Sequence, residues 1–344
     1  MKTRSRLPYN RSANTGLSLV ELMISILLGL LLSSGIIAVY LESKRNFAAE
    51  EEMARIQENG RFALGSLKRE LSLAGFFGGY FIISDLPAPT TDPEKVAPDC
   101  ASPAWALDVS TPVDFIDNVD ITSSPLVTIE GTTLTAGCLT IADIKEDTDI
   151  FMVKRTAGEA TVYEGVYADG VDATSAAKKQ MYLKVKDYGD VREWLYHESG
   201  ELPDVVPNDP IEYWQVYAKI FYIRSYSATS GDDIPTLCVV ALVGNDIEER
   251  CLVEGVEDMQ VVFGEDTDGD SVPNRYVSSP TDISAAVTAR IYLLMRSVNE
   301  LSGTVNTNKK TYRVGPGSVT VDDSYLRRIF STTVLMRNSI LPAG

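Results

Sequence analysis

The stretch TGLSLVELMISILLGLLL, residues 15–32, is apolar enough to enter a membrane except for one acid, Glu21. The apolar run extends over residues 17–41. As a helix it spans roughly 37 Å at 1.5 Å per residue, enough to cross the hydrocarbon core of a bilayer. A carboxylate inside such a span costs about 2.5–3.5 kcal/mol on insertion scales. The sequence therefore predicts a membrane helix, and its single acid requires an explanation.

Charge is distributed unevenly around this span. The first 16 residues contain four basic residues and no acid, whereas the whole chain of 344 residues has a formal net charge of −17. Basic flanks remain in the cytoplasm, so the sequence predicts a single-pass membrane protein whose acidic body is exported. An acidic body without a basic stripe repels phosphates, so we expect no nucleic acid partner.

Two simple interpretations of residues 17–41 fit less well. A cleaved signal peptide has an apolar core of about 7–15 residues followed by a small-residue cleavage site. Here the run is longer, and FAAE at residues 47–50 is a poor cleavage site. A plain signal anchor fits the length but leaves Glu21 unexplained.

The segment GLSLVE, residues 16–21, resembles the prepilin peptidase motif of type IV pilins, in which a short basic leader precedes the glycine. The resemblance implies a leader of residues 1–16, cleavage between Gly16 and Leu17 by prepilin peptidase, and N-methylation of the new amino terminus. Leu17 departs from the phenylalanine that is usual in the family. The resemblance also implies that Glu21 attracts the amino terminus of a neighbouring subunit during assembly. Such pairing would relieve the cost of an unpaired buried carboxylate.

The helix is predicted to continue beyond the membrane over residues 42–76. Apolar residues recur at spacings of three and four from Ala49 to Ala74, which is typical of one face of an amphipathic helix. Charged residues, including Glu52, are expected mostly off this face. A cluster of glycines in residues 75–79 is predicted to end the helix.

Together with this helix, the rest of the chain is predicted to form the α+β fold that the resemblance to type IV pilins implies. Residues 77–148 are rich in Pro, Thr, Asp and Ser and are expected to form a loop-rich insertion. β-Branched and aromatic residues predict a β-rich periplasmic domain over residues 149–344, an antiparallel sheet packed on the second half of the helix. The predicted strands are 149–155, 161–167, 180–185, 214–226, 238–243, 249–264 and 327–338, and 286–298 fits either a strand or a helix.

The four cysteines form an even set without a C-x-x-C spacing, which in an exported protein predicts two disulfides. Four buried thiols in a cytosolic protein are the alternative. A two-residue hairpin turn at residues 244–245 would place Cys238 opposite Cys251 as a non-hydrogen-bonded pair, with Cα atoms about 4.5 Å apart. That distance suits a disulfide. Cys100 and Cys138 are the remaining candidate pair, and their spacing does not prove the bond.

An acidic loop, EDTDGDSVPNRY at residues 265–276, has the D-x-D-x-D spacing of calcium loops. The candidate ligands of a Ca²⁺ ion are Asp266, Asp268, Asp270, the backbone carbonyl of Val272, and Asn274. Ser271 stands where such loops have glycine, and no glutamate occupies the twelfth position. A solvated acidic turn between two strands is the alternative.

The sequence gives no indication of an enzyme. His197 is the only histidine, so zinc clusters and histidine-based triads lack their residues, and we expect His197 on the surface at a strand end. The calcium loop is the only cofactor site that the sequence suggests.

Two further segments point to a subfamily. ENGRFALGSLKRELSLAGFFGG at residues 58–79 and DDSYLRRIFSTTVLMRN at residues 322–338 resemble the helix end and last strand of PilW-type minor pilins. The resemblance implies a protein that primes or caps a type IV pilus together with other minor and major pilins, and later reaches the pilus or cell surface. A J-type minor pseudopilin of type II secretion and a pilus-tip adhesin are the alternatives, followed by a membrane-anchored enzyme.

Overall fold

The computed structural model describes residues 16, 18–78, 100, 105–134, 138–171, 179–187, 191–198, 200–301 and 309–338. The chain divides into two compact units, residues 1–50 and residues 51–344. Helix α1, Leu19–Leu73, begins in the first unit and ends in the second. All the strands described below belong to the second unit.

Helix α1 has 55 residues, which confirms the prediction of a single helix longer than 50 residues. Its most apolar window has a mean hydropathy of 2.5, and no residue of that window is buried in the protein. The large apolar side chains between Leu19 and Leu41 are exposed. This part of α1 is long and apolar enough to cross a membrane.

The second half of α1 buries one face. The buried apolar and small residues follow the predicted spacings of three and four and are Ile56, Gly60, Ala63, Leu67 and Leu71. The expectation that Glu52 lies off this face is wrong. Glu52 is buried because its Oε1 accepts a hydrogen bond from Asn299 Nδ2 at 2.8 Å, which satisfies the carboxylate away from water.

Helix α1 ends at Leu73, three residues before the predicted boundary. Gly75 follows with φ +75°, a left-handed conformation that glycine adopts without strain. A Cβ at this position would lie 2.9 Å from the carbonyl oxygen of Asn338. The Gly75 N–H donates to the Lys154 carbonyl at 3.0 Å, so the end of the helix is fixed to the sheet.

The described residues contain fifteen strands. They are β1 (Val113–Ile116), β2 (Ile150–Thr156), β3 (Val162–Tyr163), β4 (Val166–Tyr167), β5 (Gln180–Lys186), β6 (Val191–His197), β7 (Ile211–Arg224), β8 (Thr236–Val243), β9 (Asp246–Glu254), β10 (Val256–Glu265), β11 (Arg275–Val277), β12 (Ala286–Arg296), β13 (Lys310–Val314), β14 (Gly317–Val321) and β15 (Arg327–Leu335).

Strand β7 organises a nine-stranded antiparallel sheet. Its C-terminal half pairs with β2 on one side and β8 on the other, and β1 and β9 extend the sheet outward. Its N-terminal half pairs with β3 and β5, which carry their own partners β4 and β6. With 14 residues, β7 is long enough to serve both sets of neighbours.

The expectation of one sheet is incomplete, because two further sheets are present in the described residues. Strands β10, β11, β12 and β15 form a four-stranded antiparallel sheet in the order β11-β10-β12-β15, and β13 pairs with β14 in a hairpin. The ambiguous segment at residues 286–298 is strand β12. It pairs with β10 along one edge and with β15 along the other.

Two hydrophobic cores explain this layering. One core joins α1 to one face of the nine-stranded sheet and to the four-stranded sheet, and it includes Leu67, Phe221 and Val261. The other covers the opposite face of the nine-stranded sheet and includes Trp105 and Ile220. Because both faces are covered, every residue of β2 is buried and the usual in-out alternation is lost.

Three local predictions need correction. Residues 161–167 form not one strand but a small hairpin, since Gly165 turns the chain with φ +70°. Residues 249–264 divide at Gly255, with φ +80°, into parts of β9 and β10. His197 ends β6 as expected, but it is half-buried, and its Nε2 is shielded without a hydrogen-bond partner among the described residues.

The described part of residues 77–148 contributes to the core of the second unit. It supplies β1, a short 3-10 helix at Trp105–Leu107 and another at Ile141–Asp143. All three residues of the first 3-10 helix are buried. The described part of the segment therefore has little regular structure, yet it covers one face of the larger sheet.

Candidate assembly, disulfide and metal sites

The predicted assembly residue Glu21 lies in the first turn of α1. The Glu21 N–H donates to the Ser18 hydroxyl at 3.2 Å, and the Ser18 N–H donates to Glu21 Oε2 at 3.4 Å. This reciprocal pair is a capping box, with serine as the N-cap and glutamate at the third helical position. Sequence reasoning missed this role, although S-x-x-E ahead of an apolar run is its signal.

The capping box offsets only part of the cost of placing Glu21 in an apolar segment. An N-cap contributes about 0.5–2 kcal/mol, whereas the carboxylate costs about 2.5–3.5 kcal/mol on insertion scales. Gly16 is exposed beside this turn. Leu17, the other residue of the predicted processing site, lies outside the described residues.

Three charged side chains meet beneath the C-terminal part of α1. Arg155 of β2 donates to Glu70 from Nε at 2.9 Å and from Nη2 at 3.1 Å, and Lys219 of β7 donates to Glu70 Oε1 at 2.8 Å. The exposed fractions of the Glu70 and Arg155 side chains are only 8% and 4%. The centre of the Tyr217 ring lies 4.5 Å from the Arg155 guanidinium carbon. These contacts fix α1 against two strands of the larger sheet.

The electrostatics of this cluster favour the charged pair. Burial raises the pKa of Glu70, but the hydrogen bonds and positive charge of Arg155 and Lys219 outweigh it and hold the pKa below its ordinary value. Burial lowers the pKa of Lys219, and the charges of Arg155 and Arg69 add to that effect against the attraction of Glu70. One carboxylate therefore serves two close cations, which leaves a local excess of positive charge.

The β8–β9 hairpin has the predicted register. Val243 pairs with Asp246 around the turn, and Cys238 pairs with Cys251. The two cysteines form a disulfide with their Cα atoms 3.9 Å apart, and Cys238 is fully buried in the core beneath the sheet. Gly244 in the turn has φ +67°, as two-residue hairpin turns require.

The other two cysteines are also joined. Cys100 and Cys138 form a disulfide with Cα atoms 4.8 Å apart, across 38 residues of sequence. Cys100 is fully buried in the same core as Trp105. The bond joins positions on either side of the described residues 105–134, whose helical and strand elements are one short 3-10 helix and β1.

The acidic loop connects β10 to β11 and brings the three predicted carboxylates together. One carboxylate oxygen from each of Asp266, Asp268 and Asp270 lies within 4.8 Å of the others. The Asp266 carboxylate accepts hydrogen bonds from the N–H groups of Asp268, Gly269 and Ser271, at 3.1, 2.7 and 2.7 Å. The loop is therefore wrapped around Asp266, while the other two carboxylates are exposed to solvent.

Later positions of this loop fit a calcium loop unevenly. Ser271 has φ +65°, so it adopts the left-handed turn that glycine supplies in calcium loops. Asn274 Oδ1 accepts from the Thr267 N–H at 2.6 Å and from its hydroxyl at 3.0 Å, so this oxygen is engaged within the loop. The Val272 N–H donates to Asp270 Oδ1 at 2.8 Å. The carboxylate donors suit a hard cation, and calcium binding stays a prediction.

A polar cavity of about 540 Å³ is lined by strand β10, the segment before β2 and the β13–β14 turn. Lys145 and Asp258 both line it. Burial raises the pKa of Asp258 to about 6, against the opposing effects of its hydrogen bond from Gln260 and the charge of Lys145. This carboxyl group therefore titrates closer to neutrality than an ordinary aspartate does.

Hydrogen bonds around this cavity join the two larger sheets. Gln260 Nε2 donates to Asn118 Oδ1 at 3.2 Å and to Asp258 Oδ1 at 3.1 Å. Asp149 accepts from the Val261 N–H at 2.6 Å and from the Asn118 N–H at 2.9 Å. Sequence reasoning did not single out these residues, because they are far apart in the chain and form no motif. Their contacts give the acids a structural role.

Comparison with known proteins matches one region of the chain. Residues 220–338, about a third of the sequence, match the family model described as type IV pilus-assembly protein W, or PilW. The matched region contains the second part of β7, the disulfide hairpin and the whole four-stranded sheet. The chain has no significant match among curated proteins or among solved structures. The family match supports the assignment of this chain as a PilW-type type IV pilus protein.

Proposed function

We propose that this chain is a minor pilin that primes or caps the assembly of a type IV pilus through helix–helix packing with other pilins. The observation that carries the proposal is the PilW match over residues 220–338, in the same chain as an apolar helix start with an acid at Glu21. The family match by itself supports a role in pilus assembly. The apolar start of α1 supports assembly through helix–helix packing.

In the proposed mechanism, the apolar part of α1 crosses the inner membrane and the sheets lie in the periplasm. Prepilin peptidase cleaves between Gly16 and Leu17, and the new amino terminus is methylated. Glu21 then pairs with the amino terminus of a neighbouring subunit, since a paired carboxylate is less costly in an apolar setting than an unpaired one. The pairing sets the register of the packed helices, and Glu21 acts as a positioning residue for assembly.

The test compares two acid substitutions in α1 within a bacterium that makes type IV pili. Glu21→Ala is expected to leave membrane insertion and cleavage intact and to reduce recovery with partner pilins by about tenfold, a loss of roughly 1.4 kcal/mol. Glu42→Ala, beyond the apolar run, removes the same charge and is the matched control. Equal recovery of the Glu21→Ala variant and the wild type in sheared pili would contradict the role of Glu21.

A deletion strain separates the proposed role from its alternatives. Loss of pili supports assembly by a minor pilin. Loss of secreted enzymes with normal pili would indicate a J-type pseudopilin, and normal pili with lost attachment would indicate a tip adhesin. Restoration of pili by the wild-type chain confirms that the deleted gene is responsible.

We also propose the acidic loop as a Ca²⁺ site, because its three carboxylates lie within 4.8 Å of one another and Ser271 keeps the left-handed turn. Calorimetric titration with Ca²⁺ up to millimolar concentration should give binding heat for the wild type. The Asp268→Asn/Asp270→Asn variant should give none. No binding by the wild type at millimolar Ca²⁺ would reject the site.

A further inference from the structure

The cavity around Asp258 is shaped by a distortion of strand β10. Successive residues of a strand normally point to opposite faces of the sheet. Glu257 and Asp258 nevertheless both line the cavity, because β10 has a bulge in its pairing with β12 between Val256 and Asp258. A bulge changes the direction of a side chain, and bulges are frequent beside functional sites. The strand therefore presents two successive carboxylates to one cavity.

Asp258 differs from the other buried acids of this region in its partners. Three buried glutamates of the described chain are each paired with an arginine, and they are Glu70, Glu257 and Glu265. Asp258 is only 7% exposed, and it forms no ion pair with any residue that the structure describes. Its Oδ1 accepts a hydrogen bond from the neutral Gln260 amide at 3.1 Å. A buried carboxylate without a cationic partner is destabilising, so its place beside a cavity suits a ligand that brings the cation.

The rest of the lining makes the cavity acidic. Glu146 and Asp147 are exposed at its rim, and Lys145 is the only base among the described lining residues. The positive charge of Lys145 helps to lower the pKa of Asp258 against the effect of burial, yet the two side chains form no ion pair. With Glu257, four carboxylates therefore face one ammonium group. The net negative charge of the lining attracts cations into the cavity.

The size and polarity of the cavity indicate the class of ligand. Its volume of about 540 Å³ lies within the range of small-molecule pockets, roughly 300–1,000 Å³. Hydroxyl groups of Thr148, Ser278 and Ser318 add hydrogen-bonding groups to the lining. Among the described residues, no three acids of this cavity lie close enough together to hold a metal ion. An extended cation with several N–H donors fits this lining better than a metal ion does.

We propose that this cavity binds an organic cation through Asp258, and that the bound group is an alkylammonium or a guanidinium. The group donates hydrogen bonds to the Asp258 carboxylate, while the acids at the rim add attraction and Lys145 opposes it. Either a free small cation or a basic side chain of a partner protein supplies this chemistry. No described residue of α1 or of the acidic loop lines the cavity, so the inference goes beyond pilus assembly and does not depend on it.

The test is calorimetric titration of the full chain in non-ionic detergent at pH 7.5. Putrescine represents a free cation, and Nα-acetyllysine methylamide represents a lysine side chain within a peptide. At least one of these probes should bind, and the one that binds more tightly identifies the source of the cation. Asp258→Asn should weaken that binding at least tenfold. Lys145→Met should strengthen it severalfold, because the variant removes a repelling charge and keeps a long side chain.

Two controls separate the cavity from the general acidity of the chain. Asp246→Asn makes the same charge change at an exposed hairpin residue and should leave the affinity unchanged. The Asp268→Asn/Asp270→Asn variant removes the carboxylates of the acidic loop, which could attract the same probes, and it should also bind as the wild type does. Melting temperatures check that each variant is folded.

The pH dependence of binding gives a second measurement. The pKa of Asp258 is about 6 in the folded chain, so the carboxylate that receives the cation is lost as the pH falls through 6. The affinity should therefore be about tenfold weaker at pH 5 than at pH 7.5. Binding at pH 6 should also release protons, which titrations in buffers of different ionisation heat detect. The other charged groups around Asp258 are Lys145, Glu146, Asp147 and Glu257 in the lining and Asp117 and Asp149 nearby.

Several results would overturn the inference. Neither probe binding to the wild type at millimolar concentration would reject the site. Unchanged binding by Asp258→Asn, or an equal loss of binding in Asp246→Asn, would show that Asp258 does not receive the cation. Weaker binding by Lys145→Met, or an affinity that is the same at pH 5 and pH 7.5, would contradict the arrangement of charges.

Discussion

At the residue scale, the buried charges beneath α1 show most clearly how the helix is held to the sheet. Glu70 sits between Arg155 and Lys219 with almost no solvent exposure, so its removal would leave two cations without their carboxylate. The helical periodicity of the sequence identifies the apolar face well but does not reveal that Glu52 and Glu70 share it. Their partners Asn299 and Arg155 come from distant segments, and no local pattern connects them.

We expect Glu70→Ala to destabilise the protein by about 3–5 kcal/mol, because breaking one partner of a buried ion pair leaves uncompensated charge. Glu51→Ala is the matched control, since Glu51 forms an exposed ion pair with Arg55 on the same helix and should change stability by less than about 1 kcal/mol. Urea unfolding of the full chain in detergent, followed by tryptophan fluorescence, measures both. Equal effects of the two substitutions would show that the Glu70 cluster does not hold α1 to the sheet.

Asp258 should make stability depend on pH. Burial raises its pKa to about 6 in the folded chain. The stability that the protonated form contributes is therefore fully present below about pH 4 and is lost as the pH rises past 6. Asp258→Asn should therefore be more stable than the wild type at pH 7.5, by about 1–3 kcal/mol, and the difference should shrink at pH 4.

Melting temperatures of the wild type and of Asp258→Asn between pH 4 and pH 8 test this directly. Asp246→Asn makes the same charge change at an exposed hairpin residue and serves as the control. A constant difference between the Asp258→Asn variant and the wild type across this range would mean that Asp258 does not titrate as described.

At the scale of elements, two glycines of α1 should respond in opposite directions to the same substitution. A Cβ on Gly60 would lie 2.6–2.8 Å from atoms of the Phe330 ring in β15, whereas a Cβ on Gly65 meets nothing. Gly60→Ala should therefore destabilise the chain by about 1–3 kcal/mol despite its better helix propensity. Gly65→Ala should stabilise the isolated chain by up to about 1 kcal/mol.

The same unfolding assay separates these two effects. Combining Gly60→Ala with Phe330→Leu should recover part of the stability lost in Gly60→Ala, because the smaller side chain leaves room for the new methyl group. If Gly60→Ala were as stable as the wild type, helix α1 would not approach β15 as closely as described.

The strand elements show which features sequence reasoning can reach. The β8–β9 register followed from the turn at residues 244–245 and the midpoint between two cysteines, because antiparallel pairing leaves no freedom once the turn is known. The split at Gly255 and the β13–β14 hairpin were not predicted. A single glycine in an apolar run does not show by its pattern that the strand divides. A short polar run likewise has no period that identifies a hairpin, so in both cases the secondary structure depends on the neighbouring strands.

At the scale of the whole molecule, the sequence predicts the α+β class and the single long helix, but not the number of layers. Strand β2 is buried on both faces because apolar residues of the preceding segment, among them Trp105, Leu126 and Leu139, cover the side away from α1. The covering residues are scattered apolar side chains without a period in the sequence, and the disulfide-bonded Cys100 and Cys138 are among them. The candidate calcium loop and the Cys238–Cys251 pair were accessible from spacing, whereas Cys100 and Cys138 were only the remaining pair and the cavity around Asp258 is formed only by folding.

The central claim is that residues 1–16 are a leader and that the mature chain begins at Leu17, four residues before Glu21. The most direct measurement is mass spectrometry of the amino-terminal peptide, purified from a bacterium with an active prepilin peptidase. We predict a peptide that begins with N-methylated Leu17 and the loss of residues 1–16. A chain that still begins at Met1 in such cells would contradict the claim.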